Sequence, residues 1–305
     1  MKPILAGIDF SISSPSVLRH AVHAAKLSGA PVHAVHVLDS GRIAHWMSGG
    51  GKISEEALKD QALERMRSLV AAHAADAGVT SEVRSGRPAA ELSRVVEEQG
   101  ASTLVIAAND LTKKRLGSVA SACVRTAPCD VLVLRDWQEG NFRRIVVCTD
   151  FSPMSVRALE RGVELATANG ARLDTVHVLY PPDRDVWGEV MEHQADSPVP
   201  YAKECRERAQ REAAAFLAPQ SVALAGIDHH LVILESAFPS VALTGYLEDV
   251  GADLAVLGTR GHSRVGGMLL GTNAERLLHD LPVSVLAVRP AGDEPKASTE
   301  SGGGR

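Results

Sequence analysis

Short apolar runs alternate with longer amphipathic stretches along the whole chain. In the second half, the runs at 145–148, 173–179, 231–234, 254–257 and 283–288 read as buried strands, because each is short, aliphatic and bounded by turn residues or charges. Between them, 155–169, 201–217, 240–250 and 272–279 read as helices, the first stopped by Gly170. Strands alternating with helices require right-handed crossovers and a parallel sheet covered on both faces. Five strands in this rhythm predict an α/β domain of flavodoxin-like (Rossmann-type) doubly wound architecture, in which ligands sit beyond the carboxyl ends of the strands. The alternation does not carry the order of the strands.

The chain also contains itself twice. Residues 9–38 align without a gap to 150–179 at an offset of 141, so that Asp9-Phe10-Ser11 meets Asp150-Phe151-Ser152 and Val35-His36-Val37-Leu38 meets Val176-His177-Val178-Leu179. Gly86-Arg87-Pro88 meets Ala237-Phe238-Pro239 at an offset of 151, and Pro128 meets Pro282 at 154. A period this long is a duplicated domain, not a solenoid repeat. The expected organisation is a first domain at 1–137, a second at 142–290, and a Gly- and Ser-containing disordered tail at 291–305.

Composition narrows the function classes. In 305 residues, 32 Lys and Arg stand against 37 Asp and Glu, a formal charge of -5, which gives no global footprint for nucleic acid. The one short basic cluster is Lys113-Lys114-Arg115, and only 4% of residues are aromatic, leaving little surface for stacking bases. The four cysteines show neither C-x-x-C nor zinc spacing. No run approaches the length of a membrane span, and the apolar start of the chain ends at Asp9 without a cleavage signal. The expectation is a cytoplasmic protein in a reducing compartment, away from membrane and nucleic acid.

Candidate chemistry collects at the strand ends of the second half. After the fourth strand come Gly258, Arg260 and Gly261, and, with nine residues between, Gly271-Thr272-Asn273 opens a helix. Glycines there let backbone approach a ligand closely, and the free N–H groups of a helix start suit a phosphate. No G-x-x-x-x-G-K-[ST] occurs, so this is not a Walker loop.

That glycine spacing, after a first strand ending in Asp150, resembles the ATP-binding signature of the universal stress protein family, and the likeness covers nearly the whole chain as two tandem copies. The resemblance implies that Asp150 lies near the adenosine ribose and that the backbone of Val178 reads the adenine edge, with Thr149 and Leu257 also among the nucleotide-binding positions. It places the phosphates against Gly258, Arg260 and Gly261, and against Gly271, Thr272 and Asn273. It further implies ATP, with or without magnesium, as ligand of a stress-response sensor or regulator, with no catalytic residue assigned and a weak ATPase activity at most. In the family, single domains pair through their last strands. The two copies are therefore expected to pair through 131–134 and 283–288, and a homodimer of chains is compatible with that. A slow magnesium-dependent hydrolase or phosphotransferase, and a nucleotide-free scaffold, are the rival readings.

The first copy departs from the pattern. It keeps Asp9 and Gly117-Ser118, but Ala107 and Asp110 replace the first two glycines, and only six residues separate Asp110 from Gly117. The first half is therefore expected to have no phosphate cradle and to serve as a structural partner. Asp150 equally suits the start of the following helix, as do Ser152 and Ser155. His36 and His177 read as packed residues, and His33, three positions from His36, points to the opposite face, against a shared metal. Trp46 and Trp187 fall in long irregular connections after a second strand, as lids or interface contacts. The mixed charges at 203–208 read as a solvated helix face.

Overall fold

A computed structural model describes residues 1–49, 53–108, 116–135, 141–180, 199–259, 278 and 282–290. The first half runs β1 (Ile4–Ile8), α1 (Ser14–Ser28), β2 (Val32–Asp39), α2 (Ser40–Ser48), α3 (Glu55–His73), β3 (Thr80–Gly86), α4 (Pro88–Gln99), β4 (Thr103–Ala107), α5 (Ser118–Thr126) and β5 (Asp130–Leu134). The second half repeats the plan with β6 (Arg144–Thr149), α6 (Pro153–Asn169), β7 (Arg172–Leu179), α7 (Val199–Leu217), the one-turn α8 (Ser221–Leu224), β8 (His229–Glu235), α9 (Pro239–Val250), β9 (Leu254–Gly258) and β10 (Ser284–Val288). The expected strands are present, with ends shifted by no more than a few residues. The helix expected at 272–279 lies outside the described residues apart from Leu278.

Proline positions set where the first helix of each half begins. Pro15 falls in the opening turn of α1 and Pro153 opens α6, in both cases where the missing N–H costs no helical bond. The expected stop at Gly170 is real: it turns left-handed at φ 61° and its N–H closes on Ala166 O.

All ten strands form one sheet, in the order β3-β2-β1-β4-β5-β10-β9-β6-β7-β8. Within each half every pair is parallel, and the chain reverses direction across the sheet beside its first strand, between β1 and β4 and again between β6 and β9. This supplies what the alternation left open: a doubly wound 3-2-1-4-5 order, used twice, with a switch point in each half. The halves join through their last strands in the single antiparallel pair, Leu132 opposite Leu286, so the pairing expected at 131–134 and 283–288 is the observed seam.

Alternation along the seam strands sends Val131, Val133, Val285 and Ala287 to one face and Leu132, Leu134, Leu286 and Val288 to the other. Both apolar layers take residues from both halves, so the core runs unbroken across the seam. No described helix is long and apolar enough to cross a membrane.

Candidate nucleotide-binding edge

At the carboxyl end of β1 and of β6 the chain makes the same turn. Asp9 Oδ1 accepts from Ser11 N–H (2.9 Å) and from Ser14 Oγ–H (3.0 Å). Asp150 Oδ1 accepts from Ser152 N–H (3.0 Å) and Ser155 Oγ–H (2.6 Å). Between each Asp and Ser, a phenylalanine takes the left-handed conformation, Phe10 at φ 58° and Phe151 at φ 59°, which bulky residues rarely adopt. Each ring lies against the histidine of the next strand, Phe10 on His36 at 4.3 Å and Phe151 on His177 at 4.2 Å between centroids. Each histidine in turn donates from Nδ1 to the carbonyl of the neighbouring strand, His36 to Ile8 O (2.7 Å) and His177 to Thr149 O (2.9 Å). Burial pushes the His36 imidazole below its ordinary range. Both histidines are packed residues, as expected from the sequence.

Of the expected site residues in the second half, five fall within the described chain. Thr149 is buried and its Oγ1 accepts from Phe151 N–H (2.9 Å), so its side chain helps to close the turn. Asp150 is exposed at the edge. Val178, near the end of β7, packs against the core layer on the α9 side, and Leu257 is buried ahead of Gly258 at the end of β9. Since β6 pairs with both β7 and β9, these residues stand along one edge at the switch point. Arg260, Gly261, Gly271, Thr272 and Asn273 lie outside the described residues, as does Trp187.

Thr259, which sequence reasoning passed over, anchors the chain just after Gly258. It is buried, and both its N–H (3.0 Å) and its Oγ1–H (3.2 Å) go to Val288 O. In the first half, Ala108 N–H makes the matching bond to Leu134 O (2.9 Å), and Gly117 N–H returns to Ala108 O (2.9 Å). The signal in the sequence is only a small or β-branched residue one position beyond a buried strand.

The first half holds a cleft of about 670 Å³ at its own switch point, within the size range of small-molecule sites. Ile8 and Asp9, His36 to Asp39, Ile106 and Ala107 line it from the strands, Leu92 and Val119 from α4 and α5, and Arg42, Ile43 and Trp46 from α2. The expectation of an irregular connection around Trp46 is corrected here: residues 40–48 are helical, because Asp39 caps them, its Oδ1 accepting from Gly41 N–H (2.9 Å) and Arg42 N–H (3.3 Å). Trp46 is 43% exposed at the cleft wall. The glycine in the floor serves packing, since a Cβ on Gly7 would stand 2.8 Å from an Ile106 methyl. Among the described residues, the charged groups of the rim are two carboxylates, Asp9 and Asp39, each with an oxygen committed to a turn, and the guanidinium of Arg42. Such a rim suits a polyphosphate poorly.

Among the described residues no group of three or more His, Cys, Asp or Glu could hold a metal. Cys123, Cys129 and Cys148 are buried free thiols pushed up to about 12 by burial, which leaves them unreactive.

The model of the universal stress protein family matches this chain at residues 1–135 and again at 141–289. A universal stress protein of Mycolicibacterium smegmatis is 27% identical over 304 residues, covering 94% of this chain and 97% of that protein. A universal stress protein of Thermus aquaticus is 32% identical over 148 residues, 48% of this chain and 99% of its own length. The crystal structure of a universal stress protein from Archaeoglobus fulgidus superposes with a TM-score of 0.65 at 22% identity, covering 96% of this chain and 97% of that one. At that identity the likeness speaks for the fold.

Proposed function

The chain belongs to the universal stress protein family and carries two of its domains in tandem, and from that premise we propose that it binds ATP in its second half and acts as a stress-response sensor or regulator. The observation that carries this reading is the meeting of Asp150, Val178 and Gly258 on one edge at a switch point, directly before the glycine-spaced segment 258–273. An exposed carboxylate suits ribose hydroxyls, which it can accept, and a valine-lined strand end suits the flat adenine. The positions assigned to the nucleotide are Thr149, Asp150, Val178, Leu257, Gly258, Arg260, Gly261, Gly271, Thr272 and Asn273. We take the first domain as 1–137, the second as 142–290 and the tail as 291–305, in a cytoplasmic protein.

Magnesium would accompany the phosphates as part of the ligand. The reading needs binding alone and routes no chemical step through any residue. The first half serves as structural partner, since its acidic rim and shortened segment disfavour a triphosphate. Asp150→Asn is the test variant of choice, because the amide keeps the acceptor oxygen that holds Ser152 and Ser155 while removing the charge. By calorimetry with magnesium, the parent chain is expected to bind about one ATP, and Asp150→Asn to lose about tenfold in affinity, the worth of one charge-assisted hydrogen bond. Asp9→Asn should bind as the parent does. Two equal sites per chain, or no binding at all, would overturn the reading.

A further inference from the structure

The seam between the halves is organised about a pseudo-two-fold axis. Leu132 faces Leu286, and each is the other's counterpart in the repeat, at the same offset that relates Pro128 to Pro282. Beyond each seam strand an arginine reaches back across the axis. Arg135 donates its backbone N–H to Ser284 Oγ (3.2 Å) and its guanidinium to Leu278 O (3.3 Å). Its counterpart Arg289 donates its backbone N–H to Asp130 Oδ1 (2.9 Å) and its guanidinium to Val124 O (2.8 Å). Position for position, the two bonding patterns match.

The charges do not. Asp130 is 2% exposed, and two arginines on α6 of the other half come to it: Arg161 Nε stands 3.0 Å from Oδ2 and the Arg157 guanidinium 3.8 Å from Oδ1. Arg161 also pairs with Glu164 on its own helix. At the counterpart position across the axis Ser284 replaces the carboxylate, and the repeat puts Ser16 and His20 of α1 where α6 has Arg157 and Arg161. All three are buried. The cluster is thus confined to one side of the axis, with its carboxylate in the first half and its guanidiniums in the second.

We propose that this one-sided cluster makes each half's seam strand select the unlike half and reject the like half that a second copy of the chain offers. The apolar ladder cannot make that choice, because Val-Leu-Val-Leu at 131–134 and Val-Leu-Ala-Val at 285–288 are nearly the same strand. Pairing first half with first half would bury Asp130 against Ser16 and His20, with neither of the α6 guanidiniums that pair with it. Pairing second with second would set Arg157 and Arg161, each about a third exposed, against Ser284, with Glu164 of its own helix the carboxylate left to Arg161. The first pairing strands a buried charge, which is strongly destabilising, and the second gives up the ion pairs to Asp130, so the unlike pairing is favoured over both. His20 does not relieve the stranded charge. Burial holds its imidazole below the ordinary range, its Nδ1 is hydrogen-bonded to Ser16 O, and its ring lies 5.3 Å from that of Phe142.

The deciding experiment exchanges two residues in the full-length chain, Asp130→Ser with Ser284→Asp. Composition and net charge are unchanged, and both new side chains still offer an oxygen to the arginine N–H across the seam. Carboxylate and arginines now lie in the same half, so the cluster re-forms twice when two second halves pair, while two first halves meet without charge. Refolded from urea and followed by light scattering over a wide range of concentration, the exchanged chain is expected to pass from the mass of the parent to dimers or larger assemblies. A mass distribution identical to the parent's overturns the proposal. A second measurement covers the case in which the exchanged chain does not fold. With Asp130→Asn, Arg161→Gln and the double variant, the urea midpoint of the double should fall by less than the sum of the singles, since the two act as a pair although Asp130 keeps Arg157 and Arg161 keeps Glu164. Additive losses would mean that the two do not act as a pair and would equally overturn it.

Discussion

The two halves build the same turn out of Asp-Phe-Ser and set different neighbours on it. Over Phe10 lies the guanidinium of Arg65, 4.4 Å from the ring centroid, whereas Phe151 meets Phe216 at 5.5 Å. Ser152 caps α6 through its side chain, while Ser13, at the start of α1, makes no such bond. The aspartate serves the backbone identically in both, closing the turn and holding a serine of the helix that follows. Its presence in the first half is therefore explained by folding alone and is no sign of a surviving nucleotide site. Whatever distinguishes Asp150 in function comes from what surrounds it, above all the glycine-spaced segment that begins at Gly258.

The same comparison holds deeper in the core, where side-chain volume has changed hands. In the second half Gly162 of α6 lies on Val147 of β6, and a Cβ there would stand 2.3 Å from a valine methyl. Their counterparts in the first half are Ala21 and Ala6, both fully buried. A bare glycine on a large residue and two residues of middle size fill the same space between helix and sheet.

Breaking that exchange should give the largest effect. Gly162→Ala is expected to destabilise the fold by about 1–3 kcal/mol through overpacking, and Val147→Ala placed in the same chain should recover part of the loss by reproducing the arrangement of the first half. Urea midpoints of the two singles and the double measure it, and a double that loses the sum of the singles would contradict it. Next in size, Ser152→Ala should cost about 1 kcal/mol as a lost N-cap. Ser13→Ala should stay within about 0.5 kcal/mol, so equal losses at the two serines would show that the caps do not differ.

The smallest effect concerns pH. Burial, the largest influence on His36, holds its imidazole below 6.5, so the folded protein prefers the neutral ring and the unfolded chain takes up the proton first. This contribution to stability is intact above about pH 6.5 and is lost as the pH falls through that value towards the lower folded one. His36→Asn should flatten the dependence of the urea midpoint on pH across that window. An unchanged slope would remove His36 from the account.

Much of this could be read from residues alone. The duplication, the strand and helix rhythm, the glycine stop after α6 and the position of candidate residues such as Asp150 and Gly258 at strand ends all follow from local pattern, since burial of an aliphatic run and the start or stop of a helix are governed by near neighbours. Other features escaped. Residues 40–48 looked irregular because Ser, Gly and Arg open them, yet Asp39 supplies the cap that makes them helical. The left-handed Phe10 and Phe151 carry no signal of their own, because nothing in the residue type suggests that conformation. Thr259 looked like one more loop residue until its bonds to Val288, across a strand pair, were in view.

The sequence by itself determined that two copies of one α/β domain lie in tandem, which strands they contain, and that the second copy alone keeps the spaced glycines. Those are properties of neighbours along the chain. Only the tertiary structure decided the order of the strands, the antiparallel register of the seam, and the meeting of Asp130 with Arg157 and Arg161. A strand's apolar pattern says that it is buried but not beside which partner. A lone aspartate in an apolar run shows its reason only when the arginines that neutralise it, from another helix in the other half, arrive within reach.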